Sequence, residues 1–217
     1  MKKIIAITIV FILTSPLLFM LVEPQLAQAV TTTSTSITVN QSVTGEITLS
    51  CTTPVSMTPA IPGMTGGTGS GSSDCTVTTN DTSGFNMKLK ASTSPALKTG
   101  SYTFADYTPT TSSLPDYTWA VASSTSEFGY TVNGNSNDLD SSFLDNGSLC
   151  NTGSNTTTDT CWLNASTTDK QVGYRTTETS SSGSTVSIKF QAQSGSSHFQ
   201  QEGAYSATVT ITASINS

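Results

Sequence analysis

Acid–base chemistry has one obvious candidate in this sequence, because His198 is the only histidine. A Ser–His–acid triad needs such a base beside a nucleophile, and the G-x-S-x-G turn that presents a catalytic serine does not occur. Two carboxylates on facing strands could support glycoside hydrolysis, but no spacing joins Glu127 to Glu202 or Asp106 to Asp116. We therefore expect a protein with no catalytic activity and no cofactor.

Oxygen-bearing side chains are concentrated between Asn133 and Asp140, and Asp145 follows shortly after. Calcium prefers hard oxygen donors of this kind. The EF-hand pattern fails, because Asp138 stands where that loop needs glycine and Leu144 stands where it needs glutamate. Turns capped by Asn and Asp side chains explain the same composition. We predict no metal site, and a loose calcium site stays open as the alternative.

Aromatic side chains are frequent between residues 102 and 130. Exposed rings beside small hydrogen-bonding groups could stack on sugars, and the candidates for such a carbohydrate-binding patch are Tyr107, Tyr117, Trp119 and Tyr130. The alternative is that these rings fill the core and anchor loops, because aromatic side chains contribute heavily to core burial. The sequence leaves both interpretations open.

The overall composition excludes several classes of protein. Only 10% of the residues are charged and 35% are hydrophobic, whereas 41 Thr and 35 Ser occur among 217 positions. Typical globular chains are about one quarter charged. The net charge is −6, and the eight Lys and Arg residues form no cluster that could neutralise a row of phosphates. A coiled coil, a multi-span membrane protein and a nucleic-acid-binding protein are therefore not expected.

The first 29 residues contain the three parts of a secretory signal peptide. Two lysines precede an apolar run over residues 4–22, and Ala27-Gln28-Ala29 provides a small-x-small cleavage site. We predict cleavage after this site, which leaves residues 30–217 as a secreted or extracellular chain. An uncleaved anchor is the alternative, because the apolar run is just long enough to span a bilayer.

The cysteines, Cys51, Cys75, Cys150 and Cys161, form an even set in a chain that we expect in an oxidising compartment. We predict the disulfides Cys51–Cys75 and Cys150–Cys161, because each closes a short, turn-rich loop and stabilises the fold by about 3 kcal/mol. A zinc site with four thiolates is the alternative, but such sites use closely spaced cysteine pairs.

Apolar residues recur at every second position, which is the pattern of half-buried strands. The clearest runs are 85–91, 186–192 and 205–215, and shorter ones occur at 37–39, 47–51, 119–121, 128–132 and 172–174. Such strands must pack their apolar faces together as two antiparallel sheets. We therefore predict an all-β chain, with a single antiparallel β-sandwich (immunoglobulin-like or jelly-roll-like) over residues 30–217. Long Gly/Ser/Thr-rich loops, including the glycine run at 66–71, would connect its strands.

Several short segments, at 104–109, 115–119 and 127–130, resemble those of uncharacterised secreted bacterial surface proteins. The ending, in which Gly203 and Tyr205 precede an alternating last strand, is similar to that of WxL-type cell-wall-binding domains. This resemblance implies an exported, non-catalytic β-protein, and it assigns no site residues.

These observations predict a non-catalytic, secreted or cell-surface protein with a structural or adhesive role. We expect its partner to be a cell-envelope polymer or a surface protein, and we expect no nucleic acid and no transmembrane span after signal cleavage. One alternative is a carbohydrate-binding module that uses the aromatic patch. Another is a fibre or pilus-like subunit whose long terminal strand adds to a neighbouring sheet.

Overall fold

The computed structural model describes residues 32–217, and the chain divides into two units, Met1–Ser42 and Val43–Ser217. The predicted signal peptide lies outside the described residues. In the first unit, residues 32–42 are exposed and form no regular secondary structure. The strand predicted at 37–39 is therefore wrong, because alternation alone supplies no neighbouring strand to pair with. Within residues 32–217, no helix has the length and apolar character needed to cross a membrane.

The second unit contains eleven strands and one short 3-10 helix. The strands are β1 (Ile47–Cys51), β2 (Gly67–Thr79), β3 (Phe85–Ala91), β4 (Lys98–Thr99), β5 (Tyr102–Thr103), β6 (Ala105–Asp106), β7 (Ser126–Gly134), β8 (Leu163–Asn164), β9 (Lys170–Arg175), β10 (Ser184–Ser194) and β11 (Val209–Ile215), and the helix is Ser141–Phe143.

These strands form two main sheets that pack against each other. The larger sheet has the order β1-β2-β10-β7-β6, with β8 also paired to β7, and the smaller sheet has the order β11-β3-β9. All pairs in both sheets are antiparallel except β6 with β7. Strands β4 and β5 form a separate two-stranded ribbon. The predicted antiparallel β-sandwich is confirmed.

Alternating side chains build the core between the sheets. In β10, Val186, Ile188 and Phe190 point inward and are buried, whereas the residues between them are only partly buried. The same alternation in β3 buries Met87 and Leu89. Burying each large apolar side chain contributes roughly 1.5–3 kcal/mol. The sequence alternation at 85–91 and 186–192 therefore identified two of the central strands correctly.

The glycine run at 66–71 corrects one expectation, because all of it except Gly66 belongs to β2 and is not a flexible loop. A Cβ on Gly69 would lie 2.6 Å from the carbonyl oxygen of Pro59, and one on Gly71 would lie 2.7 Å from that of Ser56. The proline-containing segment after β1 thus runs against β2 at a distance that only glycine permits. Segment 119–121, also predicted as a strand, forms none.

Both predicted disulfides are confirmed. Cys51 and Cys75 are paired neighbours on β1 and β2 and are bonded at 2.04 Å, and Cys150 is bonded to Cys161 at 2.07 Å. The first disulfide joins the edge strand of the larger sheet to the next strand, and the second closes a surface loop.

Candidate functional site

A groove of about 1230 Å³ opens between the larger sheet and the start of β11. Its floor is the inner face of the larger sheet, at Phe128, Ile188 and Phe190. One wall is the segment that follows β1, over residues 53–64, and the other is the chain that leads into β11, over residues 199–211. The groove therefore lies where the two sheets part, and the hydrophobic core forms its floor.

The lining of this groove is mainly apolar. Val55, Met57 and Ile61 from the first wall are partly buried hydrophobic residues that pack against the core, as are Val209 and Ile211 from the second. Glu202 is the one charged residue among the lining residues. Apolar surface in a concave site of this kind is a candidate for binding apolar groups.

Two side chains with high exposure lie at the rim of the groove. Met64 is 74% exposed and Phe199 is 69% exposed, and both belong to the groove lining. Gln200, also in the lining, is 7% exposed, and its buried Oε1 has no hydrogen-bond donor. The Nε2 of the same amide donates to the Tyr205 hydroxyl at 2.6 Å, so Gln200 holds the second wall in place.

Strand β11 borders the groove and is the edge strand of the smaller sheet. Its inward-facing residues, from Val209 to Ile215, are only partly buried, whereas the equivalent positions of β3 are buried. An edge strand presents unpaired backbone N–H and C=O groups. The groove therefore combines an apolar floor with the start of an edge strand, at Val209 and Ile211.

His198 takes no part in a catalytic arrangement in the described residues. Its Nδ1 lies 3.2 Å from the backbone carbonyl oxygen of Ser124, which places the ring against a loop rather than beside a serine hydroxyl. This contact anchors the segment that leads into the groove wall.

Three of the four carboxylates considered for hydrolysis, Asp106, Asp116 and Glu127, have separate structural partners. Asp106 accepts hydrogen bonds from Ser94 Oγ at 2.6 Å and Ala96 N at 2.9 Å. Asp116 accepts bonds from Thr110 N at 2.9 Å and from the Tyr107 hydroxyl at 3.0 Å. Both carboxylates thus fasten loops to neighbouring chain segments.

Glu127 also holds a loop in place. It accepts a hydrogen bond from Thr108 N at 3.1 Å. Burial raises the pKa of Glu127, and the Thr108 hydrogen bond partly opposes that rise. Glu202, its proposed partner for hydrolysis, is exposed at the groove.

The four candidate sugar-binding rings do not form one exposed platform. Tyr130 is fully buried and Tyr107 is 2% exposed, whereas Tyr117 and Trp119 are partly exposed. The Tyr107 ring stacks on Trp119 with centroids 4.4 Å apart, and Trp119 meets Trp162 edge-on at 5.0 Å. Tyr130 packs separately, against Phe143 at 5.9 Å and Phe190 at 6.5 Å.

The buried phenols stay protonated at neutral pH. Burial, followed by the hydrogen bond and the charge of Asp116, raises the pKa of Tyr107 above its usual value. Burial, followed by the charge of Asp140, raises the pKa of Tyr130. Neither hydroxyl is therefore poised as a nucleophile or a base.

The carboxylates in and near the loop at 133–140 are held by internal donors. Asp138 is buried and receives Arg175 Nη1 at 2.7 Å and Ser184 Oγ at 2.9 Å. Asp140 caps the 3-10 helix by accepting a bond from Ser142 N at 3.0 Å, and it also receives Gln171 Nε2 at 2.8 Å. Within residues 32–217, no group of three or more His, Cys, Asp or Glu side chains is arranged to hold a metal ion.

Asp145 organises the loop that the second disulfide closes. It is buried, and it receives hydrogen bonds from Gly147 N at 2.7 Å, Thr157 N at 2.9 Å and Thr157 Oγ1 at 3.0 Å. Burial alone would raise the pKa of Asp145, but these three bonds together outweigh burial and lower it. The carboxylate is therefore ionised in the folded protein at neutral pH.

A smaller and more polar concavity of about 540 Å³ lies beside Tyr107, with Asp106, Asp169 and Lys170 in its lining. Asp169 lies 3.5 Å from the Lys90 ammonium, and Lys170 lies 3.9 Å from Asp140. These ion pairs connect the concavity to β3 and to the 3-10 helix.

Comparison with known proteins assigns neither a family nor a function to this chain. No protein-family model matches the sequence, and no curated protein or solved structure is significantly similar to it.

Proposed function

We propose that this protein is a non-catalytic structural protein of the cell surface or extracellular space, and that the groove is the surface through which it binds its envelope partner. The observation that carries this proposal is the groove itself, a mainly apolar opening into the core with one charged lining residue. A groove of this composition binds apolar groups or an extended chain.

Two further observations support export and a structural role. All four cysteines are disulfide-bonded, and such bonds persist in oxidising compartments outside the cytoplasm. Apart from Glu202, the carboxylates considered for hydrolysis, together with Tyr107 and His198, hold loops in place. The resemblance of the chain end to WxL-type domains points to the same location.

Cell fractionation tests the location. We expect bacteria that express the full chain to place it in the exported, envelope-associated fraction, with no free thiol detectable after denaturation. A cytoplasmic chain with four reactive thiols would contradict the proposal.

Rim variants test whether the groove makes the attachment. Met64→Ser combined with Phe199→Ser alters exposed side chains at the groove, so we expect the fold to persist and envelope association to fall. Leu149→Ser is the matched control, because Leu149 is 62% exposed and is not among the groove-lining residues. Equal retention of the rim variant and the control on isolated envelopes would show that attachment does not use the groove.

A further inference from the structure

Three large apolar side chains are exposed on turns of the sandwich. Met64 lies in the turn before β2, Phe199 follows the turn after β10, and Tyr102 follows the turn of the β4–β5 ribbon. Their exposed fractions are 74%, 69% and 51%. We call these three side chains together the apolar end.

Strand register and two hydrogen bonds hold these turns together. Gly67 is the first residue of β2 and Ser194 is the last residue of β10, and the two are paired neighbours. Gln200 N donates to Gly63 O at 2.8 Å, and Gln200 Nε2 donates to Thr103 O at 3.3 Å. Each residue of the apolar end is therefore next in sequence to a member of this hydrogen-bonded group.

The segments that carry the apolar end have no net charge. They contain one cation, Lys98, and one carboxylate, Glu202, and they are residues 60–66, 98–103 and 195–203. The connections at the opposite end of the larger sheet contain Glu46, Asp81 and Glu178. The whole chain has a net charge of −6. It therefore approaches a neutral or anionic surface most easily with the apolar end in front.

The exposed area of the apolar end favours a lipid surface over a protein partner. A large aromatic side chain offers about 150–250 Å² when fully exposed, so these three side chains together offer on the order of 400 Å². A stable protein interface buries about 800 Å² on each partner. A bilayer needs no matching surface, because apolar side chains enter the boundary between headgroups and acyl chains one by one.

The turn of the ribbon is accessible to such a surface. A Cβ added at Gly100, two residues before Tyr102, would meet no atom within 4 Å. A tyrosine at this place suits a bilayer boundary, because its ring is apolar and its hydroxyl can stay in contact with water.

We propose that the apolar end docks this protein peripherally on a lipid bilayer, with Met64, Tyr102 and Phe199 inserted at the boundary between headgroups and acyl chains. This inference rests on the surface location proposed above and names the bilayer as the envelope partner. Met64 and Phe199 also line the groove, so its apolar rim faces the lipid. Because the apolar end has no cluster of Lys or Arg, binding depends on apolar area and not on anionic lipid.

Vesicles of phosphatidylcholine provide the first test. The mature chain, recovered from the exported fraction of producing cells, is sedimented with sucrose-loaded vesicles. We expect reversible binding that is equal in about 0.1 M and about 1 M salt. We also expect no increase in binding when phosphatidylglycerol replaces part of the phosphatidylcholine. Absence of binding to phosphatidylcholine, or binding that requires the anionic lipid, would overturn the proposal.

A triple variant removes the apolar end. Met64→Ser, Tyr102→Ser and Phe199→Ser together should lower vesicle binding by about tenfold or more. The urea midpoint should match that of the original chain, because all three side chains are exposed.

A matched control removes exposed apolar side chains elsewhere. Leu149 and Tyr174 are 62% and 40% exposed, and neither belongs to the segments that carry the apolar end. We expect Leu149→Ser with Tyr174→Ser to leave vesicle binding unchanged. Equal binding of the control and the triple variant would count against insertion of the apolar end.

Tyr102→Ser alone separates this proposal from that of the groove, because Tyr102 is not among the groove-lining residues. We expect this variant to weaken both vesicle binding and envelope association. Envelope association that depends on Met64 and Phe199 but not on Tyr102, without vesicle binding, would exclude the bilayer and leave the proposed function with another partner.

Sedimentation velocity examines a second copy of the chain as the partner. We expect the original chain and the triple variant to sediment alike at every concentration. Oligomers that the triple variant loses, in a chain that binds no vesicles, would assign the apolar end to self-association and overturn the proposal.

Discussion

The ring of Tyr107 stacks on the indole of Trp119 with centroids 4.4 Å apart and an interplanar angle of 16°. The pair lies over Gly129 of β7, where a Cβ would come within 2.8 Å of Tyr107 Cβ and 2.7 Å of the Leu163 carbonyl oxygen. The missing side chain of Gly129 thus allows a surface loop to pack its rings directly on a strand.

Gly129→Ala should displace this ring pair. We expect a loss of about 1–3 kcal/mol in the free energy of unfolding, because the added methyl group meets the backbone of Leu163 and a rigid part of Tyr107. Urea unfolding followed by tryptophan fluorescence measures it. Ser187→Ala, on β10 of the same sheet, is the control and should change stability by less than about 0.5 kcal/mol. A Gly129→Ala variant as stable as the control would show that the loop adjusts freely.

Low pH should weaken the hydrogen bonds that the Asp145 carboxylate accepts from Gly147 and Thr157. Its pKa is lowered in the folded protein, so its stabilisation is fully present above the unfolded value near 3.9. That stabilisation is lost as the pH falls through the lower folded pKa. At pH 7, Asp145→Asn should cost about 1–3 kcal/mol, because an amide cannot accept all three bonds.

The pH dependence of that cost is the discriminating measurement. The difference in unfolding free energy between Asp145→Asn and the original chain should shrink as the pH falls below about 4. The exposed Asp74, changed to Asn, serves as control. A difference that stays constant from pH 7 to pH 3 would exclude ionisation of Asp145 as the cause.

The Asp138–Arg175 ion pair should stabilise the fold more than the exposed Lys90–Asp169 ion pair does. Asp138 is 6% exposed at its side chain and also holds Ser184, whereas the side chains of Lys90 and Asp169 are 47% and 49% exposed. We expect Asp138→Asn to cost roughly 2–4 kcal/mol, because it leaves a partly buried guanidinium without its charge partner. Asp169→Asn should cost less than about 1 kcal/mol.

Denaturant unfolding compares these two variants directly, provided that the slope of the unfolding free energy against denaturant concentration is the same for both. Raised salt provides a second check, because it screens the exposed pair more strongly than the partly buried one. Equal losses for Asp138→Asn and Asp169→Asn would contradict the importance assigned to burial.

Removing each disulfide separately should destabilise the protein by different amounts. Paired Cys→Ser changes should cost about 2–4 kcal/mol. The bond between Cys51 and Cys75 encloses a separation of 24 residues, against 11 for Cys150 and Cys161. Because the Cys51–Cys75 bond closes the longer loop, removing it should cost about 0.6 kcal/mol more than removing Cys150–Cys161. Thermal unfolding of the two double variants measures the order, and a larger loss at Cys150 and Cys161 would contradict it.

The sequence predicts those parts of the fold in which local pattern and long-range packing agree. Residues 85–91 and 186–192 alternate without interruption, and both lie in central strands where every inward side chain meets a core. The short cysteine loops predicted the disulfide pairing for a similar reason, because nearby residues meet at low entropic cost.

Local pattern fails where a distant segment determines the structure. Gly69 and Gly71 look like loop residues, but they lie in β2 because the chain near Ser56 and Pro59 passes close above them. The alternation at Ile37 and Val39 is as regular as in the true strands, yet no partner strand is present. The groove was not predicted, since it arises from the relative positions of residues 53–64 and 199–211.

The surface loop between Cys150 and Cys161 is restrained in two chemically independent ways. A covalent sulfur bridge joins its ends, and the ionised carboxylate of Asp145 accepts hydrogen bonds from the amide and the hydroxyl of Thr157 inside the loop. A reductant attacks only the first restraint and low pH only the second. A reducing medium at neutral pH and an acidic oxidising one should therefore each leave one of these two restraints in place.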